Sequence, residues 1–174
     1  LAPDAAAMLN LSEDHLDRYA GIEDYGAAKA RIFQGDGVQV LNRDDPIVRL
    51  MRLPGRTAQT FGASVPLSEE EWGLVSRPDG EWLARGGALL MPSSGLTLVG
   101  RHNALNVLAA LALVSSVAKI TPAVLAVAAS FRSLPHRMER VADERGVLFV
   151  DDSKGTTVAA TQAALAGLGR PVIL

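Results

Sequence analysis

Between residues 151 and 157 the chain reads Asp151-Asp152-Ser153-Lys154-Gly155-Thr156-Thr157, which puts carboxylates, an amine and hydroxyls directly after the apolar run 147–150. A strand that passes through such a loop into a helix presents free backbone N–H groups, and the helix dipole favours an anion there. Lys154 adds positive charge, Ser153 and Thr156 add donors, and the acids at 151 and 152 suit sugar hydroxyls. Plain helix capping by Asp152 or Ser153 is the alternative.

Four other groups have chemical potential. Asn10-Leu11-Ser12-Glu13-Asp14-His15-Leu16-Asp17-Arg18 follows an expected strand, the position where open α/β sheets bind ligands. Its oxygens and imidazole suit magnesium or manganese, and an ordinary polar loop is the competing reading. Lys29 sits on an expected helix with an apolar face. Such a lysine either reaches out to water or, when partly buried, reacts with carbon dioxide to become a carbamate that binds metal. Gly100-Arg101-His102-Asn103 opens a helix. There Asn103 offers a donor and an acceptor to an adenine edge, or Asn103 or His102 caps the helix. Leu134-Pro135-His136-Arg137-Met138-Glu139 is a proline-marked link. Arg137 either reaches a phosphate in a cleft or pairs with Glu139 or another nearby acid.

The elements that must hold these groups follow from hydrophobic pattern. Strands are expected at 5–11, 38–42 and 57–61, with helices at 22–33 and from Pro46. Short runs over 71–99, broken by Pro78-Asp79-Gly80 and Gly86-Gly87, predict antiparallel hairpins. Helices are expected over 103–117, from Thr121-Pro122 to about 131, and over 157–168; short strands fall near 138–142, at 147–150 and from Val172. This is an α/β chain. Residues 1–133 form the later part of a parallel-sheet domain with a small antiparallel sub-sheet, and 134–174 open a second, Rossmann-like domain with a βαβ unit. The chain begins on Leu1 and closes on an expected strand, so it is expected to be a piece of a longer protein.

Composition narrows the function. The 174 residues are 48% hydrophobic with a formal net charge of −2, which gives no electrostatic basis for binding a nucleic-acid backbone. Aromatic residues make up 5%, too few for base-stacking platforms, and there is no cysteine for disulfides or thiolate metal sites. Residues 104–118 are too short and too polar to span a membrane, and a signal peptide is not expected at the start, where Asp4 and Glu13 stand in place of a basic flank. A soluble cytoplasmic protein is expected. No Gly-x-Gly-x-x-Gly follows a strand, which removes the dehydrogenase reading.

In this order the motifs resemble the Mur ligase family. The matching stretches are Leu9-Asn10-Leu11-Ser12-Glu13-Asp14-His15-Leu16-Asp17-Arg18-Tyr19, Tyr25-Gly26-Ala27-Ala28-Lys29, Gly100-Arg101-His102-Asn103, Leu134-Pro135-His136-Arg137-Met138-Glu139 and Asp151-Asp152-Ser153-Lys154-Gly155-Thr156. The likeness is weakest over 43–94. Asp152-Ser153-Lys154 follows the pattern of the D-glutamate-adding branch, whereas sister ligases usually carry Asp-Tyr followed by His or Asn.

The resemblance implies an ATP-dependent ligase of three domains that couples D-glutamate to UDP-N-acetylmuramoyl-L-alanine through an acyl phosphate. It implies two magnesium ions, one held by His15 and by Lys29 as its carbamate. It assigns Asn103 to adenine, Arg137 to the ATP phosphates and Asp152 to the ribose. Ser153, Lys154 and Thr156 are assigned to D-glutamate and the reacting phosphate, with Lys29 and Lys154 as the catalytic lysines. A monomer acting on small molecules is implied, away from nucleic acid and membrane. Two features depart from the pattern: the family's Gly-x-x-Gly-Lys-[Ser/Thr] phosphate loop does not occur, and Thr157 replaces the usual asparagine. Without that loop and the UDP-binding domain, the chain alone is expected to be inactive. A folylpolyglutamate-synthase-like ligase and a truncated, non-catalytic nucleotide-binding relative are the alternatives.

Overall fold

The computed structural model describes residues 2–13 and 17–174. Its frame is one six-stranded sheet in sequential order. Strands β1 (Ala5–Met8), β2 (Val38–Asn42), β3 (Ala58–Phe61) and β4 (Glu71–Arg77) run parallel. The sheet then turns antiparallel through β5 (Gly80–Arg85) and β6 (Ala88–Pro92). The expected hairpins are therefore a continuation of the parallel sheet.

Strand β2 shows why both faces must be covered. Val40 and Leu41 are both buried, and neighbouring strand residues point to opposite faces. Val40 joins Phe61, Trp72, Leu74 and Leu83 against α3 (Arg101–Ser115), which packs along the sheet through Ala104, Leu108, Leu111 and Ala112. Helix α4 (Pro122–Ser130) adds Val124, Leu125 and Ala128 to that layer. Leu41 faces the other way, among Met8, Leu11, Tyr25 and Val48, under α1 (Ile22–Ala30) and α2 (Pro46–Leu50). The expected helix over 22–33 ends its last turn as a 3-10 turn, Arg31–Phe33.

Helix starts follow local chemistry. Asp45 accepts hydrogen bonds from the amides of Ile47 and Val48, with Pro46 at the first position of α2. Thr121 accepts from the Val124 amide ahead of Pro122 in the same way.

A buried polar group ties the layers together. Gln59 on β3 accepts from the Trp72 indole N–H at 2.7 Å and donates to Ser116 Oγ at 3.1 Å. Trp72 is fully buried, so this bond satisfies a donor that would otherwise cost about 1–3 kcal/mol.

Beyond Ser130 the chain forms a smaller unit. Strands β7 (Glu139–Glu144) and β8 (Val147–Asp151) make a two-stranded antiparallel sheet. They turn at Arg145 and Gly146, both at positive φ, as a two-residue hairpin requires. Helix α5 (Val158–Leu168) follows and packs on α3. The strand expected from Val172 does not form: residues 171–174 belong to no helix or sheet. A strand needs a bonded neighbour, and the smaller sheet holds β7 and β8 alone among the described residues. The expected βαβ unit is thus a hairpin followed by a helix.

Candidate functional site

One group of candidate residues gathers where β1 ends. Residues Met8, Asn10, Ser12, Tyr25 and Lys29 line an open pocket of about 410 Å³. The end of β2 shapes its rim: the Asn42 amide donates to the Leu9 carbonyl at 2.7 Å. Asp45 Oδ2 accepts from the Leu11 amide at 2.8 Å while Oδ1 caps α2. One carboxylate thereby fixes both a helix start and the loop after β1.

Lys29 lies in the last turn of α1 with its ammonium 5.1 Å from the centre of the Tyr25 ring. It is exposed, in keeping with the reading in which it reaches out to water. The end of a helix on the pocket rim leaves its long stem free to reach water. The oxygens of Asn10 and Ser12 suit a hard cation such as magnesium, and Lys29 fits beside one only after conversion to a carbamate. His15, the other expected ligand, lies outside the described residues.

A second group forms where the smaller unit meets α3. Gly100, at φ 97°, turns the chain into α3, and no side chain caps that helix. The capping reading of Asn103 and His102 is therefore set aside. Asn103 instead donates to the Val99 carbonyl at 2.7 Å and accepts from Asn106, which orients its half-buried amide. His102 packs against Gly167 of α5, where any side chain would collide with the imidazole. Its Nδ1 is buried without a hydrogen-bond partner among the described residues. Burial lowers the His102 pKa, and the negative charge of Asp152 pulls it the other way.

Asp152 reaches back to the link, accepting from the Met138 amide at 3.0 Å. Gly155 packs close beside it: a Cβ there would lie 2.7 Å from the Asp152 carboxylate and force it to shift. Neither Asp152 nor Ser153 caps α5. That role falls to Thr157, whose hydroxyl accepts from the Ala160 amide at 3.2 Å. Ser153, Lys154 and Thr156 stay exposed at the helix entrance, as does Arg137 on the link. The expected pairing of Arg137 with Glu139 is absent among the described residues; the Glu139 carboxylate accepts the His136 amide at 3.0 Å instead.

The pair that the motifs did not suggest is His136 with Asp151, Nδ1 to Oδ2 at 2.8 Å. Hydrogen bonding to Asp151 raises the His136 pKa, and the same bond holds the Asp151 carboxyl down at about 2. Its signal was the Arg145-Gly146 turn. Folding the chain there sets Glu139 opposite Asp151 and brings residue 136 within reach. His136 and Met138 both adopt positive φ, 64° and 48°, on either side of Arg137. Such conformations cost on the order of 1–3 kcal/mol each and persist only where neighbours hold them.

So Asn103, Arg137, Asp152, Ser153, Lys154 and Thr156 sit on two adjoining units, α3 and the 134–157 stretch. Lys29 belongs to the pocket after β1, and no hydrogen bond among the described residues joins the two groups. A family model described as the Mur ligase middle domain matches residues 1–114. The chain belongs to the Mur ligase family. The UDP-N-acetylmuramoylalanine--D-glutamate ligase of Nitrosospira multiformis is 54% identical over 176 residues, covering 100% of this chain and 37% of that protein. The chain thus spans little more than a third of that Mur ligase.

Solved structures share the fold at lower identity. The MurF ligase of Thermotoga maritima in complex with ADP superposes with a TM-score of 0.71 at 21% identity, covering 94% of this chain and 38% of that one. FolC of E. coli in complex with DHPP and ADP gives 0.60 at 21%, covering 86% and 34%. The Mur ligase fold therefore extends past residue 114 into the smaller unit. Among the described residues, no helix is long and apolar enough to cross a membrane.

Proposed function

We propose that the protein carrying this chain is an ATP-dependent ligase that joins D-glutamate to UDP-N-acetylmuramoyl-L-alanine in peptidoglycan precursor synthesis. The observation that supports it is the 54% identity to a D-glutamate ligase along the whole chain, against 21% to the MurF and FolC folds. Asp152-Ser153-Lys154, the stretch that sets the branches apart, lies inside that alignment.

In this reading ATP phosphorylates the substrate carboxylate, the amine of D-glutamate attacks the acyl phosphate, and inorganic phosphate leaves. Asn103 would receive adenine through the amide edge that its bonds to Val99 and Asn106 hold in place. Asp152 would accept from the ribose and Arg137 would meet the phosphates. Lys154, with the hydroxyls of Ser153 and Thr156, would neutralise charge and orient D-glutamate at the exposed entrance to α5. His15 and the Lys29 carbamate would hold the second magnesium ion, which supplies charge neutralisation for phosphoryl transfer. Residues 1–133 would form the end of the ATP-binding domain and 134–174 the beginning of the amino-acid-binding domain. Closing the units on each other would exclude water from the acyl phosphate. The protein is proposed to work as a cytoplasmic monomer.

The test is phosphate release by the complete protein with ATP, magnesium, UDP-N-acetylmuramoyl-L-alanine and D-glutamate. L-Glutamate, D-alanine, and dihydropteroate with glutamate run beside it. Release confined to D-glutamate is expected. Activity only with the pteroate substrate would replace this reading with a folate ligase, whose fold the chain shares.

A further inference from the structure

The contacts around His136 form a tether between two short segments that must act together. The link contributes His136, Arg137 and Met138, and the loop contributes residues 151–154. Three bonds cross between them: His136 Nδ1 to Asp151 Oδ2 at 2.8 Å, the Lys154 amide to the His136 carbonyl at 3.1 Å, and the Met138 amide to Asp152 Oδ1 at 3.0 Å. Asp151 also accepts the Ser153 amide at 3.0 Å, so the carboxylate that grips the imidazole shapes the loop itself. Arg137 stands between two residues in left-handed backbone conformations, each bonded into this set.

We propose that His136 and Asp151 are positioning residues: their pairing fixes the direction of Arg137 and the placement of Lys154 relative to each other. The proposal rests on the ligase reading for the roles of Arg137 and Lys154, while the tether itself stands on geometry alone. If it opens, the left-handed conformations at 136 and 138 lose the bonds that hold them, and both cations drift together.

The charges around the imidazole set a pH dependence. Asp151 from β8 and Glu139 from β7 face it, Asp152 and Lys154 lie on the loop it holds, and Arg137 is its chain neighbour. The two carboxylates of the strands favour the imidazolium. The tether is therefore strongest while His136 is charged and weakens as pH rises through its midpoint. Above that midpoint a neutral imidazole retains one hydrogen bond without the ion pair.

Amide hydrogen exchange and imidazole NMR titration on the complete protein test this, with kcat and KM as a second readout. In Asp151→Ala the Met138 and Lys154 amides should exchange roughly tenfold faster, because the segments they join lose one of their three bonds. Those of Val40 and Phe61 should be unchanged. Turnover should fall through kcat, and the KM for ATP should rise as Arg137 loses its place against the phosphates. Asp151→Asn keeps an acceptor without charge: its His136 should titrate at lower pH than wild type, with protection between wild type and Asp151→Ala. If Asp151→Ala fails to fold, the asparagine variant decides alone, and an unchanged midpoint with unchanged protection overturns the proposal. Unaltered exchange at both amides in a folded Asp151→Ala does the same. Exchange and titration need no turnover. A protein that is silent toward D-glutamate but shows the expected exchange would lose the ligase reading and keep the tether.

Discussion

At the scale of single residues, the His136–Asp151 pair makes stability depend on pH in a defined window. His136 is raised from 6.5, so its contribution is complete below 6.5 and fades as pH climbs through the raised value. Asp151 is lowered from 3.8 to about 2, so its contribution is complete above 3.8 and fades as pH falls toward 2. Both are present together between about 4 and 6.5. His136→Gln should therefore cost most stability near pH 5 and progressively less on the alkaline side. Urea denaturation of the two proteins at pH 5 and pH 8.5 checks this, and an equal loss at both values would rule out the charged pair. Because His136 is more than half exposed, salt should shrink the difference.

At the scale of elements, the entrance to α5 depends on a hydroxyl outside the motif. Thr157→Ala should destabilise the smaller unit by about 1 kcal/mol, while Thr157→Asn should leave it nearly unchanged, since asparagine caps at least as well. Thermal melts with a helix-sensitive signal distinguish the two. Much of the element pattern was legible beforehand. β2 appears where 38–42 was expected, and Asp45 and Thr121 start helices beside their prolines. These features are written in adjacent residues. What stayed hidden depends on distance in the chain. The bond from Asp45 to Leu11 spans 34 positions and that from Gln59 to Ser116 spans 57. Among the site residues, those of 151–156 were found as one loop, but the capping role of Thr157 was given to Asp152 or Ser153. Three candidate caps within 152–157 look alike until the backbone selects one. Lys29 was placed on the right helix, but its two readings stayed open because spacing says which face a residue shares, not how near the helix end lies to open water.

At the scale of the whole molecule, burial is uneven. The six-stranded sheet and its helices hold nearly all the fully buried side chains, whereas past residue 130 only Met138 and Ala164 are buried apolar residues among the described side chains. Phe149, Val141 and Val147 on the small sheet are more than half exposed. An isolated two-stranded sheet is marginal in water, so this unit should open more readily than the large one. Limited proteolysis should cut first within 134–174 and leave a resistant product near 1–133. Simultaneous loss of both parts would mean that they unfold as one.

Helix α3 belongs to both parts at once. Its middle is locked in the sheet core through Leu108, Leu111 and Ala112, while His102 in its first turn meets Gly167. A rod of 15 residues, about 22 Å long, is thus clamped along most of its length and touches α5 at one end. It serves as a doorpost: α5 should pivot about the His102–Gly167 contact while the frame behind it stays in place. Dyes attached to α4 and α5 would report that swing as a change in distance, with the sheet standing still between them.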